Sequence, residues 1–202
     1  LFSLGRAFEA EEILRPMELG RTVDLAAALV IARENAAFEM LTGKVRDAAS
    51  LMGEWKIVED LWTLSIEHAR LEDRGRLLRS RAVLRRLRLS DIDGTLSDLL
   101  AAMKLGALSD DELNALCDLL EQCNRLDEAL IVRDQLSRSE GGDSRSAVKA
   151  AELARRLGRS DDELNFLRSA IARNPEPATV VQLLSLLHIS RDQGEIEKLC
   201  TF

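Results

Sequence analysis

The sequence predicts an all-α protein built from stacked pairs of helices, and three observations predict it. Leu, Ala, Glu and Arg dominate the 202 residues, and these residues favour helices. Proline occurs three times, tyrosine never, and no segment shows the period-2 alternation of a strand. Short polar turns recur about every 34 residues, which indicates a repeated helical hairpin.

Composition narrows the class of protein. Apolar residues make up 46% of the chain and charged residues 31%, which is typical of a folded protein. The net charge of −7 argues against nucleic-acid binding by the whole surface. No apolar run reaches the roughly 18 residues of a membrane span. Three cysteines do not form a disulfide framework, so we expect Cys117, Cys123 and Cys200 to be buried free thiols.

The polar turns define the period of the repeat. The turn residues are Gly20, Gly53, Asp91, Asn124, Gly158 and Asp192, at intervals of 33, 38, 33, 34 and 34 residues. Six such turns imply about six helix pairs. The longest interval holds about four extra residues, which we expect in the polar stretch from Glu72 to Arg76.

Local signals mark several helix ends. The S-x-x-E motifs that begin at Ser109 and Ser160 predict capping boxes, in which Glu112 and Glu163 reach back to the cap amide. The glycine-rich stretch 139–144 predicts an open loop between hairpins.

A helix–turn–helix repeat of this length resembles the tetratricopeptide repeat family. The best match runs from Ser144 to Pro177, with Gly158, Leu167, Ala170 and Pro175 at the turn, large apolar, small and terminal proline positions. In the preceding unit the family's small positions fall on Cys117 and Ala129. Glu163, by contrast, stands where the family has a small alanine.

The resemblance implies a right-handed superhelical solenoid of about six repeats across residues 1–202. Their approximate boundaries are 6–38, 39–76, 77–109, 110–143, 144–177 and 178–202. Each hairpin is apolar on more than one face and needs stacked neighbours to cover it. Because the chain begins at Leu1 and stops within a helix, we expect a fragment whose end repeats can self-associate.

The sequence offers no reaction centre, so we expect neither an enzyme nor a bound cofactor or metal. It contains no phosphate-binding loop, zinc-ligand spacing or nucleophile elbow. His68 and His188 fall in different predicted hairpins, so we expect each to be structural or solvated.

An arginine-rich helix stands out in this acidic chain. Seven arginines lie between Arg74 and Arg88. On a helical wheel, two apolar arcs flank an arginine stripe, which is Arg74, Arg81, Arg85 and Arg88. We expect neighbouring helices to bury both arcs. The first arc is Leu77, Val83, Leu84 and Leu87, and the second is Leu78, Ala82 and Leu89.

The resemblance also implies an inner groove lined by set positions of each first helix. These positions are Arg81, Arg85 and Arg88 in one unit, Asp111, Asn114, Asp118 and Glu121 in the next, and Arg145, Lys149, Glu152 and Arg155 in the third. Three roles stay open for the arginines: solvation of an exposed face, pairing with Asp111 or Asp118, or binding of an acidic partner.

Two tryptophans share one helix face. Trp55 and Trp62 are seven residues apart, which is two helical turns. We expect them to pack in the core or between hairpins, with ligand binding as the alternative.

Together these observations predict a non-catalytic scaffold that binds protein partners. Arrays rich in Arg, Ala and Leu are similar to those of bacterial exopolysaccharide-export proteins of the PelB type, which implies a periplasmic array that recruits a polysaccharide-modifying enzyme during biofilm formation. The alternatives are a cytoplasmic scaffold or regulator, and a module that contacts an anionic polymer. We expect no nucleic-acid partner, because the stripe lacks interleaved aromatic residues.

Overall fold

The computed structural model describes residues 39–138 and 144–190, and all regular structure in these ranges is helical. The predicted all-α, helical-repeat class is confirmed. The predicted turns at Gly20 and Asp192 lie outside the described residues, as do the whole first repeat and residues 191–202 of the last. The chain divides into two compact units, residues 1–108 and 109–202. None of the helices in the described ranges is long and apolar enough to cross a membrane.

In residues 39–108 the first unit contains four helices and a π-helical turn. Consecutive elements pack against each other in chain order, which produces two helical hairpins. The elements are α1 (Glu39–Met52), α2 (Trp55–His68), α3 (Leu71–Leu84), the π-turn (Arg85–Leu89) and α4 (Ile92–Lys104).

The turns of the first unit lie close to their predicted positions. Gly53 has a φ of 77° and ends α1 in the left-handed conformation, as its place in the repeat predicts. Near the turn predicted at Asp91, the left-handed residue is Ser90, with a φ of 53°. Asp91 instead caps α4, because its side chain accepts a 2.9 Å hydrogen bond from the amide of Gly94.

The stretch from Glu72 to Arg76, where we expect the extra residues, is helical, because α3 begins at Leu71. Gly75 is buried there, and a Cβ at this position would lie 2.2 Å from the Cβ of Ala107. The helix can pass this close to the segment after α4 only because residue 75 is glycine. The chain stays helical from Leu71 through the π-turn to Leu89, and this run is longer than the 13-residue helices Asp110–Gln122 and Ser144–Arg156.

The second unit contains five helices in the described ranges. They also pack consecutively, and the turns at Asn124 and Gly158 have the left-handed φ values of 57° and 71° expected from the repeat. The helices are α5 (Asp110–Gln122), α6 (Leu126–Arg138), α7 (Ser144–Arg156), α8 (Ser160–Arg173) and α9 (Pro177–Ser190).

Small residues set the close packing of the second unit. The sulfur of Cys117 lies 3.8 Å from the carbonyl oxygen of Ala129, and both residues are fully buried. The resemblance implied that these two positions are small. Helix α7 adds a stripe of four buried alanines, which are Ala147, Ala150, Ala151 and Ala154. Alanine allows neighbouring helices to approach along this stripe.

The cysteines differ in environment. Burial raises the pKa of the Cys117 thiol to about 11, although the charge of Arg133 acts in the opposite direction. Cys123 is exposed at the end of α5, so the prediction that it is buried is wrong. Cys200 lies outside the described residues.

One predicted capping box forms and the other does not. Ser109 accepts a hydrogen bond from the amide of Glu112, while the Glu112 carboxylate accepts one of 2.9 Å from the Ser109 amide. At the second motif Ser160 is already helical, because α8 begins there, and its cap residue Arg159 makes no side-chain capping bond. Glu163 is buried instead of reaching back.

We predict that Glu163→Gln stabilises the protein at neutral pH. Burial raises the pKa of Glu163, and the charge of Arg155 offsets this only in part. A raised folded-state pKa stabilises the fold at pH values below the unfolded pKa, and this contribution is lost as pH rises through the folded pKa. Thermal unfolding followed by circular dichroism should therefore show a gain of about 1 kcal/mol at pH 7 that disappears near pH 4. Glu152→Gln, at an exposed position of α7, is the control and should change little at either pH. Equal effects of the two substitutions at pH 7 would contradict the prediction.

Candidate binding groove

Arg81, the first of the predicted groove residues, makes a buried ion pair. Its Nε and Nη2 donate hydrogen bonds of 2.9 and 2.7 Å to the two carboxylate oxygens of Asp98. Its Nη1 donates a third bond of 2.7 Å to the hydroxyl of Thr63. The side chain of Asp98 is only 3% exposed. This bidentate pair joins α3 to α4, and the bond to Thr63 joins α3 to α2.

Arg85 extends this pair into a network. Its Nε lies 2.7 Å from an oxygen of Glu59, and its Nη1 lies 3.1 Å from Asp98 Oδ2 and donates to the carbonyl of Gly94. Lys56 adds a 3.0 Å bond to Glu59 from the exposed side. We call Arg81, Arg85, Glu59, Asp98 and Thr63 the arginine network.

Ion pairs and hydrogen bonds within the arginine network favour the charged forms of Glu59 and Arg85. Burial alone would raise the pKa of Glu59, but hydrogen bonds from Arg85 and Lys56, with their charges, outweigh it and lower this pKa. Burial likewise opposes the charge of Arg85, but the bond to Glu59 and the charges of Asp98, Glu59 and Asp91 raise its pKa. Arg81 and Arg85 therefore use their donors on acids of their own unit, rather than on Asp111 or Asp118.

The predicted groove residues of α5 surround an arginine that sequence reasoning missed. The side chain of Arg133 in α6 is only 2% exposed. Its Nη1 donates a 2.6 Å bond to Asn114, and its Nη2 lies 3.0 Å from Asp118 and 3.6 Å from Glu121. Asp111 stays exposed in the first turn of α5. Of the four predicted groove residues of α5, Asn114, Asp118 and Glu121 thus provide a hydrogen-bond acceptor or a negative charge to the buried guanidinium of Arg133.

The predicted groove residues of α7 lie on its surface. Arg145, Lys149, Glu152 and Arg155 are all exposed. Arg155 lies 3.9 Å from Glu152 one turn earlier, which is a weak surface pair. A partner for these four residues remains a prediction.

A cleft in the first unit brings together features that the sequence placed apart. It has a volume of about 270 Å³ and lies between α1, α2, α3 and the π-turn. We call it the tryptophan groove. Its lining residues are Arg46, Asp47, Ser50, Trp55, Val58, Trp62, Ser80, Val83, Leu84, Leu87 and Arg88.

An arginine guanidinium group lies over the ring of each tryptophan in the groove. The guanidinium carbon of Arg46 lies 3.6 Å from the ring centroid of Trp62, and that of Arg88 lies 4.6 Å from the centroid of Trp55. These distances are typical of cation–π contacts. Arg46 also donates a 3.3 Å hydrogen bond to Ser65. Trp55 and Trp62 are half-buried, so their rings support the core on one side and face the groove on the other.

The first apolar arc of the arginine-rich helix, which we expect to be buried, is buried at only two of its four positions. Leu77 and Leu84 are buried, but Val83 is 56% exposed and Leu87 is 70% exposed. The arc is wide, and its edge extends past the core onto the groove. Leu87 also belongs to the π-turn, which presents it together with Arg88 beside Trp55.

A second cleft, of about 250 Å³, lies in the second unit between α6 and α8. Ile131, 60% exposed, and Phe166 supply its apolar surface. Its charged rim is internally paired, because Arg138 lies 2.8 Å from Asp134 and Arg159 lies 4.0 Å from Asp162. The tryptophan groove offers more aromatic surface. Within the described ranges, no group of three His, Cys, Asp or Glu side chains could hold a metal ion.

Comparison with known proteins finds only distant likeness. No protein-family model matches the chain, and no curated protein matches it. Among solved structures, the MamA fragment from residue 41 of Desulfovibrio magneticus RS-1 is 12% identical, with 83% of this chain and 92% of that chain covered and a TM-score of 0.40. YrrB, described as a TPR protein with an unusual peptide-binding site, is 16% identical, with 90% and 88% covered and a TM-score of 0.43. BtubC from P. vanneervenii is 14% identical, with 94% and 87% covered and a TM-score of 0.38. These values are too low for the likeness to identify a family or a function.

We predict that Asp98→Ala destabilises the first unit by about 3–5 kcal/mol, because it leaves two half-buried arginines without their shared carboxylate. Both tryptophans of the chain lie in this unit, so urea unfolding followed by tryptophan fluorescence reports on it directly. Glu72→Ala is the matched control. It removes an exposed pair of 3.8 Å with Arg70 and should cost at most about 1 kcal/mol. Similar losses in the two variants would show that the arginine network contributes little.

Proposed function

We propose that this chain is a non-catalytic interaction module that binds a segment of a partner protein in the tryptophan groove. The observation that carries the proposal is the exposure of Val83 and Leu87 beside two tryptophan rings. Trp and Arg side chains are enriched at binding hot spots, and exposed apolar side chains grouped beside them are a sign of an interaction surface.

The size of the groove supports a protein segment as its occupant. Sites for small molecules usually enclose about 300–1,000 Å³ and bury most of their ligand. The tryptophan groove, at about 270 Å³, is below the lower end of that range and is lined by residues of α1, α2, α3 and the π-turn. One or two side chains of an extended segment would fill it, and the rest of the segment would lie along the helices.

Rigid support also favours binding. The arginine network ties α2, the π-turn and α4 together through Glu59, Arg85 and Asp98. Glu59 and Arg85 directly follow Val58 and Leu84, which line the groove. A surface held in place before binding loses little conformational entropy on binding, which raises the affinity.

The charges of the arginine stripe favour a protein over an anionic polymer as the binding partner. Arg81 and Arg85 are neutralised by Asp98 and Glu59, so the arginine stripe exposes much less positive charge than its sequence indicates. Binding to a polyanion draws on many exposed cations. The polymer-binding alternative therefore has less support than a protein partner.

Two narrower hypotheses follow from the family resemblance alone, and no residue of the tryptophan groove supports them. One is a periplasmic role in exopolysaccharide export, with a polysaccharide-modifying enzyme as the partner. The other is a cytoplasmic scaffold or regulator. Co-purification from cells with such an enzyme would support the first hypothesis.

The proposal predicts groove-dependent peptide binding. Peptides selected from a displayed random-sequence library on the intact chain should bind at least about 10-fold more weakly to Val83→Ser/Leu87→Ser, because the apolar contact surface is lost. Circular dichroism should be unchanged, since both side chains are exposed. Ile131→Ser, an exposed apolar position in the second unit, is the control and should bind like the unaltered protein. Selected peptides that bind the unaltered protein and Val83→Ser/Leu87→Ser with equal affinity would contradict the proposal.

A further inference from the structure

We infer that the segment bound in the tryptophan groove carries an aromatic side chain, and that this ring stacks on Arg88, on the side of the guanidinium group that faces away from Trp55. The inference rests on the proposed function and specifies the chemistry of the partner. It depends on the position of Arg88 over Trp55, on the exposure of Arg88 and on the aliphatic side chains beside it.

The guanidinium group of Arg88 is covered on one side and open on the other. Its central carbon lies 4.6 Å from the centroid of the Trp55 ring, so the ring covers it from that side. Arg88 is nevertheless an exposed residue, so solvent reaches the group from elsewhere. A guanidinium group is planar, is more weakly hydrated than an ammonium group and stacks on aromatic rings. Arg88 therefore offers a second ring a place to stack.

The Trp55 ring is a fixed base for this stack. Trp55 is half-buried and packs against the core cluster that contains Ala49, Val58 and Leu84. Its contact with Arg88 restrains a side chain that would otherwise sample many rotamers. A partner ring that binds on Arg88 therefore removes less conformational entropy from it, which favours binding.

The π-turn places aliphatic surface beside this cation. Leu87 is 70% exposed and directly precedes Arg88, and Val83 is 56% exposed near the end of α3. All three residues line the tryptophan groove. An aromatic side chain can bury about 150–250 Å², which is enough to contact the guanidinium group and Leu87 together. One ring can therefore use both parts of this surface.

Other side chains would use only one part of the surface. A carboxylate accepts hydrogen bonds from Arg88, but its burial against Val83 and Leu87 costs hydration free energy. An aliphatic side chain covers Leu87 but has no π-face to attract the cation. A ring gains from both contacts, and a stack on the face of the guanidinium group leaves the N–H donors at its edge in water. The combination of Arg88 with Val83 and Leu87 therefore favours an aromatic residue.

The test uses peptides selected from a displayed random-sequence library on the intact chain. The selected peptides should be enriched in Trp, Tyr or Phe. A representative peptide is then synthesised as the parent and with its aromatic residue changed to Leu, which keeps an apolar side chain but removes the π-face. This change should weaken binding to the unaltered protein about 5-fold and to Arg88→Gln less than about 2-fold.

Matched variants make the outcome specific. Arg86→Gln removes the same charge from the same π-turn, at an exposed position outside the groove lining, and should keep the full 5-fold difference. Arg88→Lys keeps the charge but not the planar group and should reduce the difference in part. Raising the salt concentration should change the difference little, because the two peptides carry the same charges. Circular dichroism and thermal unfolding of each variant are measured alongside.

Four results would overturn the inference. Peptides that depend on Val83 and Leu87 but bind equally well with Leu in place of the ring would leave the proposed function standing and remove the aromatic contact. An unchanged 5-fold difference in Arg88→Gln would place the ring away from Arg88. Affinity that depends on an acid of the peptide and falls steeply with salt would mean that Arg88 binds a carboxylate instead. Peptides that bind the unaltered protein and Val83→Ser/Leu87→Ser with equal affinity would remove both the inference and the proposed function.

Discussion

The pair formed by Arg81 and buried Asp98 is the interaction on which the first unit depends. A carboxylate that is almost fully buried is tolerated only when cations and hydrogen-bond donors surround it, and Arg81 of α3 and Arg85 of the π-turn surround Asp98. Arg81 also donates a hydrogen bond to Thr63 of α2. The pair therefore fixes how α3 lies against α2 and α4. Glu59 and the carbonyl of Gly94 hold Arg85 at the start of the π-turn, so the same set of bonds also determines where Leu87 and Arg88 emerge.

The arginine-rich helix consequently has two kinds of arginine, although they form one stripe on a helical wheel. Arg81 and Arg85 point into the unit and are neutralised there. Arg88 belongs to the π-turn, is exposed, and lies over the ring of Trp55 at the tryptophan groove. Because of this division, two arginines of the strongly basic stretch are paired with Asp98 and Glu59 inside the first unit. It also gives Trp55 and Trp62 a double role, since their rings both support the unit and line the tryptophan groove.

Periodic features were predictable from the sequence, whereas pairings between distant residues were not. The turns at Gly53, Asn124 and Gly158 were found because a helical hairpin needs a left-handed residue at a fixed interval, and glycine and asparagine provide it at low cost. Asp98 and Arg133 were missed because nothing near them in the sequence distinguishes a buried charge from an exposed one. The π-turn was missed because a wheel assumes a constant angle per residue, and Ser160 failed as a cap because tertiary packing buries Glu163.

The most direct test of this account compares Arg81→Gln with Arg88→Gln in urea, with tryptophan fluorescence as the measure of unfolding of the first unit. Arg81→Gln leaves Asp98 buried without its bidentate partner and should lower the free energy of unfolding by about 3–5 kcal/mol. Arg88→Gln removes an exposed cation–π contact and should lower it by less than about 1 kcal/mol. Equal losses, or a larger loss for Arg88→Gln, would contradict the division of the stripe into a structural part and a binding part.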